Sequence, residues 1–131
     1  MWVAGVFLAV TVVFMATRDD LAERTERFAA DVRRWVRGLP RTISNAEDVK
    51  QLVRSSGSVA ANQIEADNAL GDQDRLMKFR ICRKEARESG LWIRLLDVGE
   101  VAALRGEQAR LDDEAGQLVK IYSTIISRLG G

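Results

Sequence analysis

From residue 18 onward, apolar side chains recur at alternating spacings of three and four, the period of a helix that buries one face. The first stripe is Leu21, Thr25, Phe28, Val32, Trp35 and Leu39. Gly38-Leu39-Pro40 closes it, because proline cannot extend a helix and restricts the residue before it. Ser44 followed by Glu47 reads as a capping box and predicts a second helix starting near Asn45. Its stripe is Val49, Leu52, Ser56, Val59, Gln63, Ala66 and Leu70. Gly71-Asp72 breaks the run, with Asp72 expected to cap the third helix, whose stripe is Phe79, Cys82, Ala86, Ser89, Ile93 and Leu96. Residues Asp97 to Gly106 read as a turn or a frayed entry. The fourth stripe is Leu104, Gln108, Leu111, Ala115, Leu118, Tyr122, Ile125 and Leu129, ended by Gly130-Gly131.

Short connections between helices of similar length force antiparallel neighbours, so the pattern predicts an all-α, up-down-up-down four-helix bundle over residues 18–131. Small residues on the second and third stripes (Ser56, Gly57, Ala60, Ala61; Cys82, Ala86, Ser89) predict close approach of those two helices.

Both helices carry a second stripe at the same spacing. On helix two it is Ser55, Ser58, Asn62, Glu65 and Ala69, and on helix three Ile81, Glu85, Glu88, Trp92 and Leu95. A helix buried on one side needs only one stripe. The second is either a solvated face with intrahelical pairs such as Lys84 with Glu88, or a subunit interface. In the interface reading Trp92 anchors, and Arg54, Ser58, Asn62, Glu65, Glu85 and Glu88 fix register through hydrogen bonds and Arg–carboxylate pairing.

The first 17 residues, MWVAGVFLAVTVVFMAT, form an extra apolar segment without a charged side chain. As a helix it would reach about 25 Å, near the lower limit for a bilayer span, with the Arg-rich side expected in the cytoplasm. The alternative is translation from Met15, since the charge pattern of a soluble helix begins abruptly at Arg18.

Composition narrows the chemistry. Lys plus Arg is 20 against 19 Asp plus Glu, a net charge of +1, which argues against a whole-molecule polyelectrolyte for nucleic acid. The single cysteine, Cys82, excludes an intramolecular disulfide and fits a reducing, cytoplasmic compartment. Histidine is absent, which removes the usual general base and the commonest metal ligand. Glu65, Glu85 and Glu88 could divide acid and base work, but no nucleophile, phosphate loop or cofactor fingerprint accompanies them. The expectation is a protein without catalytic residues, cofactor or metal.

Arg54-Ser55-x-x-Ser58-x-x-x-Asn62-x-x-Glu65-Ala66 and Lys84-Glu85-x-x-Glu88-Ser89-x-x-Trp92 resemble the motifs of the "four helix bundle protein" family. That family includes proteins encoded in intervening sequences of bacterial large-subunit ribosomal RNA genes and the accessory variability determinant of diversity-generating retroelements. The resemblance covers about Asp20 to Arg128. It implies a ring-like homopentamer and, in the retroelement branch, binding of a reverse transcriptase and nucleic acid. The chain departs from the family at Gln63-Ile64, where an aromatic is usual, in the less basic loop Gly71 to Asp74, and in the apolar N-terminal run.

Arg75, Lys78, Arg80, Arg83, Lys84, Arg87 and Arg94 give helix three a basic side that would hold phosphate backbones or an acidic partner. The alternative is that these cations pair with Asp112, Asp113 and Glu114 at the start of helix four. The sequence therefore reads as a non-enzymatic, homo-oligomeric interaction protein. A membrane-tethered bundle is the alternative if residues 1–17 are translated.

Overall fold

The computed structural model describes residues 21–131, which form four helices and no strand. The apolar N-terminal segment lies outside the described residues. Helix α1 is described over 21–36, followed by α2 (Ile43–Asp67), α3 (Asp72–Leu95) and α4 (Ala102–Arg128). The all-α, antiparallel bundle is as the stripes predict. Among the described residues, no helix is long and apolar enough to cross a membrane.

Each helix packs on the next, and α4 closes the square against α1. Arg24 grips Glu114 with two bonds of 2.7 and 2.8 Å, and the Trp35 indole N–H donates to the Leu104 carbonyl. The core is the union of the four stripes, with Phe28, Val32, Leu52, Val59, Ile93, Leu111 and Leu118 fully enclosed. One polar relay crosses it diagonally. The Tyr122 hydroxyl donates to Gln63 Oε1 at 2.6 Å, and Gln63 Nε2 donates to Asp67 at 3.1 Å. Cys82 lies in the same layer, and burial pushes its thiol up to about 12. Burial also raises the Tyr122 hydroxyl above its usual range.

Helix ends differ from the sequence reading in four places. The cap of α2 is Thr42, whose Oγ1 accepts from the Asn45 amide at 3.1 Å, so the helix starts before the expected Ser44–Glu47 box. Gly71, not Asp72, precedes α3. Asp72 is already helical and pairs with Arg75 at 2.9 Å. Leu70 leaves its stripe because α2 ends at Asp67, and the side chain stands in solvent. Near the end of α4 the helix buries Ile126 rather than Ile125, and Leu129 is exposed.

Polar side chains fix the α2 start and the α3–α4 turn. Buried Asn45 donates to the carbonyls of Pro40 (2.8 Å) and Asp97 (2.9 Å) and accepts from the Asp97 amide (3.0 Å). Gln108 Nε2 donates to the free carbonyls of Ile93 and Leu96, satisfying the end of α3. Gly99 takes φ +63°, a left-handed conformation that a side chain would strain.

Candidate interaction surface on helices α2 and α3

The seam between α2 and α3 is built from small side chains. The Ser55 and Ser89 hydroxyls meet at 2.8 Å, and Ser89 also donates to the Glu85 carbonyl at 2.8 Å. Ser55 in turn lies 3.3 Å from the Leu52 carbonyl, so each hydroxyl has a backbone acceptor on its own helix besides its partner across the seam. The Cys82 thiol donates to the Val59 carbonyl beside them. Leucines at these positions would hold the two helices apart.

The seven polar positions of the second stripe do not converge on one point. Arg54 reaches across the seam to Glu85 (3.3 Å) and Glu88 (3.1 Å). Asn62 turns back to Ser58, donating to its carbonyl and hydroxyl. Glu65 pairs with Lys78 at 2.8 Å, and hydrogen bonding and charge from Glu65 raise the Lys78 ammonium above its usual value. The three glutamates thus go to two different cations. Among the described residues, no group of three His, Cys, Asp or Glu side chains is placed to hold a metal ion. Trp92 is half-buried against the core cluster, and its indole N–H is enclosed without an acceptor. Glu85 Oε2 is likewise enclosed without an aligned hydrogen bond, although Arg54 lies beside it. Lys84 stands 4.0 Å from Glu85 rather than pairing with Glu88.

Either side of Lys84 and Glu88, the same face of α3 presents apolar side chains in two groups, Met77 with Ile81 and Leu91 with Leu95. Met77, Leu91 and Leu95 are 52, 42 and 56% exposed, and Ile81 lies between them. Ile43, at the start of α2, is 91% exposed. Leu95 and Ile81 belong to the second stripe. Met77 and Leu91 extend it one position sideways, at a spacing legible in the sequence.

The basic residues of α3 separate into two sets. Arg75 is held by Asp72 and donates to the Ala69 carbonyl, Lys78 is held by Glu65, and Arg94 is held by Asp112 at 2.8 Å. Arg80, Arg83 and Arg87 have no carboxylate partner among the described residues. These three recur at i, i+3 and i+7, forming a row about 10 Å long on the α4 side of the helix. The acidic start of α4 turns mainly elsewhere. Glu114 binds Arg24, and Asp113 accepts from Gln117.

Between α1 and α4 lies a cleft of about 310 Å³, with Phe28 and Leu111 as apolar lining and Arg24, Arg27, Asp31, Arg110 and Glu114 as polar lining. Asp31 accepts from Arg34 (2.7 Å) and Arg110 (2.8 Å), and Arg110 also binds Glu107. Burial alone would raise the Asp31 carboxyl. Hydrogen bonds from Arg110 and Arg34 outweigh it and hold the group below the usual range. Glu107 and Asp31 together raise Arg110.

No family model matches the chain, and no curated protein is similar to it at a significant level. Among solved structures, the chain is similar to a protein of unknown function from the S23 ribosomal protein family of Bacteroides thetaiotaomicron VPI-5482. The TM-score is 0.69 at 25% identity, over 81% of this chain and 97% of the other.

Proposed function

We propose that the chain is a non-enzymatic, self-assembling helical adapter of the cytoplasm, forming a homopentamer through the α2–α3 face. The carrying observation is the composition of that face. Its carboxylates Glu65, Glu85 and Glu88 are already paired with Lys78 and Arg54 of the same protomer, while Met77, Leu91 and Leu95 stand exposed beside them. Pairing within the protomer makes these charges less costly to bury than unpaired ones, and the exposed large apolar side chains gain on burial. The resemblance of the α2 and α3 motifs supports the same reading, and the similar solved structure supports the bundle fold on which it stands. Sedimentation velocity across a concentration series is the test. The wild type should sediment as an assembly, and Leu91→Arg should lower its apparent mass. A wild type that sediments as a protomer at all concentrations overturns the reading.

The row Arg80, Arg83 and Arg87 favours a second role, holding a nucleic-acid backbone or the acidic surface of a nucleic-acid enzyme. Three guanidiniums over about 10 Å match the rise of about three nucleotides along one duplex strand, and a ring would multiply the row by avidity. Fluorescence anisotropy with labelled RNA and duplex DNA at low salt checks it. Replacing all three arginines with alanine should abolish binding and its salt dependence. Equal binding by wild type and triple variant removes this role and leaves the assembly reading standing.

A further inference from the structure

The cleft between α1 and α4 lies on the side of the bundle away from the α2–α3 face, and the assembly proposed above makes no use of it. Its lining holds three guanidiniums (Arg24, Arg27 and Arg110) and two carboxylates (Asp31 and Glu114), a formal charge of +1. Two ion pairs bridge the helices here. Arg24 binds Glu114 through Nε and Nη2 at 2.8 and 2.7 Å, and Arg110 Nη2 donates to Asp31 at 2.8 Å. Glu107 fixes Arg110 from a second direction. These bonds use Nε and Nη2 of Arg110, and its Nη1 has no acceptor among the described residues. Arg27 is the remaining cation of the lining. It is exposed, and it stands one helical turn from both Glu23 and Asp31 without pairing with either.

We infer that this cleft binds a small monocarboxylate with an apolar body. Arg27 presents a planar fork of donors that matches a carboxylate, and Arg110 adds one N–H from a side chain already held in place. Phe28 and Leu111 supply the apolar lining, which suits a short alkyl chain or a single ring. At about 310 Å³ the cleft is at the small end of ligand sites. Charge sets the valence. One negative charge brings the lining to neutrality. A dianion, such as a dicarboxylate or a phosphate monoester, places its second charge beside Asp31 and Glu114, whose cations are already engaged.

Saturation-transfer NMR on the whole chain, with benzoate as the probe, tests the site. Wild type should transfer saturation to the benzoate ring protons, with a Kd that rises with salt. Benzamide, which keeps the shape without the charge, and succinate, which carries two charges, should each bind about ten-fold more weakly or worse. Arg27→Gln should weaken benzoate binding by about the same factor, and Arg27→Lys by less. Arg105→Gln removes an exposed arginine outside the cleft and should change nothing. Both positions are exposed, and unchanged thermal melts establish that each variant folds. The inference is overturned if benzoate shows no transfer at millimolar concentration, if Arg27→Gln binds it as wild type does, or if benzamide binds as tightly as benzoate. Succinate binding as tightly as benzoate overturns the choice of a monoanion. Because the cleft is remote from the α2–α3 face, each of these outcomes is independent of the oligomeric state.

Discussion

Removing the Tyr122 hydroxyl tests the polar relay at the centre of the bundle. In Tyr122→Phe the ring keeps its place beside Phe79, with centroids 6.0 Å apart, so packing is preserved. What is lost is the 2.6 Å bond to Gln63 Oε1. Gln63 is 1% exposed, and water has no access to replace the donor. A buried acceptor left unsatisfied costs about 1–3 kcal/mol, well above the net value of a typical hydrogen bond. Against a total stability of about 5–15 kcal/mol this is a large fraction, and it should lower Tm by roughly 5–10 °C. The companion variant Gln63→Leu removes the acceptor, and Asp67, which is half-buried, then turns to solvent. The double variant should be less destabilised than the two single variants added together, by about 1 kcal/mol or more. Chemical denaturation of all four proteins provides the cycle. A cost for Tyr122→Phe below about 0.5 kcal/mol, or strictly additive variants, would refute the reasoning.

Three further outcomes follow from named contacts. The Cys82 thiol is ordinarily near 9.0 and is raised to about 12 by burial, so the folded state holds this proton more tightly. Its stabilising effect is complete below pH 9 and is lost between the two values at up to about 1.4 kcal/mol per pH unit, with Tyr122 acting in the same direction. Thermal melts of wild type against Cys82→Ala from neutral to alkaline pH should show a shallower decline in the variant, and parallel curves would contradict this. Asp31 has the opposite sign, because its lowered value makes its pairing with Arg110 and Arg34 fail as pH falls through the carboxylate range. Asp31→Asn should lose less stability than wild type between neutral and acid pH, and equal losses would count against the assignment. Asn45→Ala strips three bonds from the α2 start and the Asp97 turn and should cost about 1.5–3 kcal/mol in a denaturant titration. A neutral result would mean that the turn holds itself.

The core was legible because it depends on period alone. Every stripe residue of α1 from Leu21 to Leu39 is buried, as are Phe79 to Leu96 on α3. The helix ends were less legible, since Thr42 and Ser44 are both good caps and only chain direction after Pro40 chooses between them. Leu70 was misplaced because a hydrophobic stripe does not say where its helix stops. The candidate surface was half legible. Its residue types stood out as a second stripe, but which cation each glutamate takes depends on the offset between α2 and α3. That offset is set by the Ser55–Ser89 contact. The stripe reading places Gly57, Ala60 and Ala61 in the α2–α3 seam, but the structure does not: the Arg33 guanidinium of α1 lies against Gly57, and Ala61 is exposed. Ser55, Ser56 and Val59 turn inward, Ala60 is half-buried, and Ala61 and Ile64 are exposed.

Self-association is the central claim, and native mass spectrometry of the wild-type protein at near-physiological salt tests it most directly. The account predicts one dominant species at five times the 14.6 kDa protomer, with subcomplexes one protomer apart on activation. A spectrum dominated by the 14.6 kDa protomer at every concentration would contradict it.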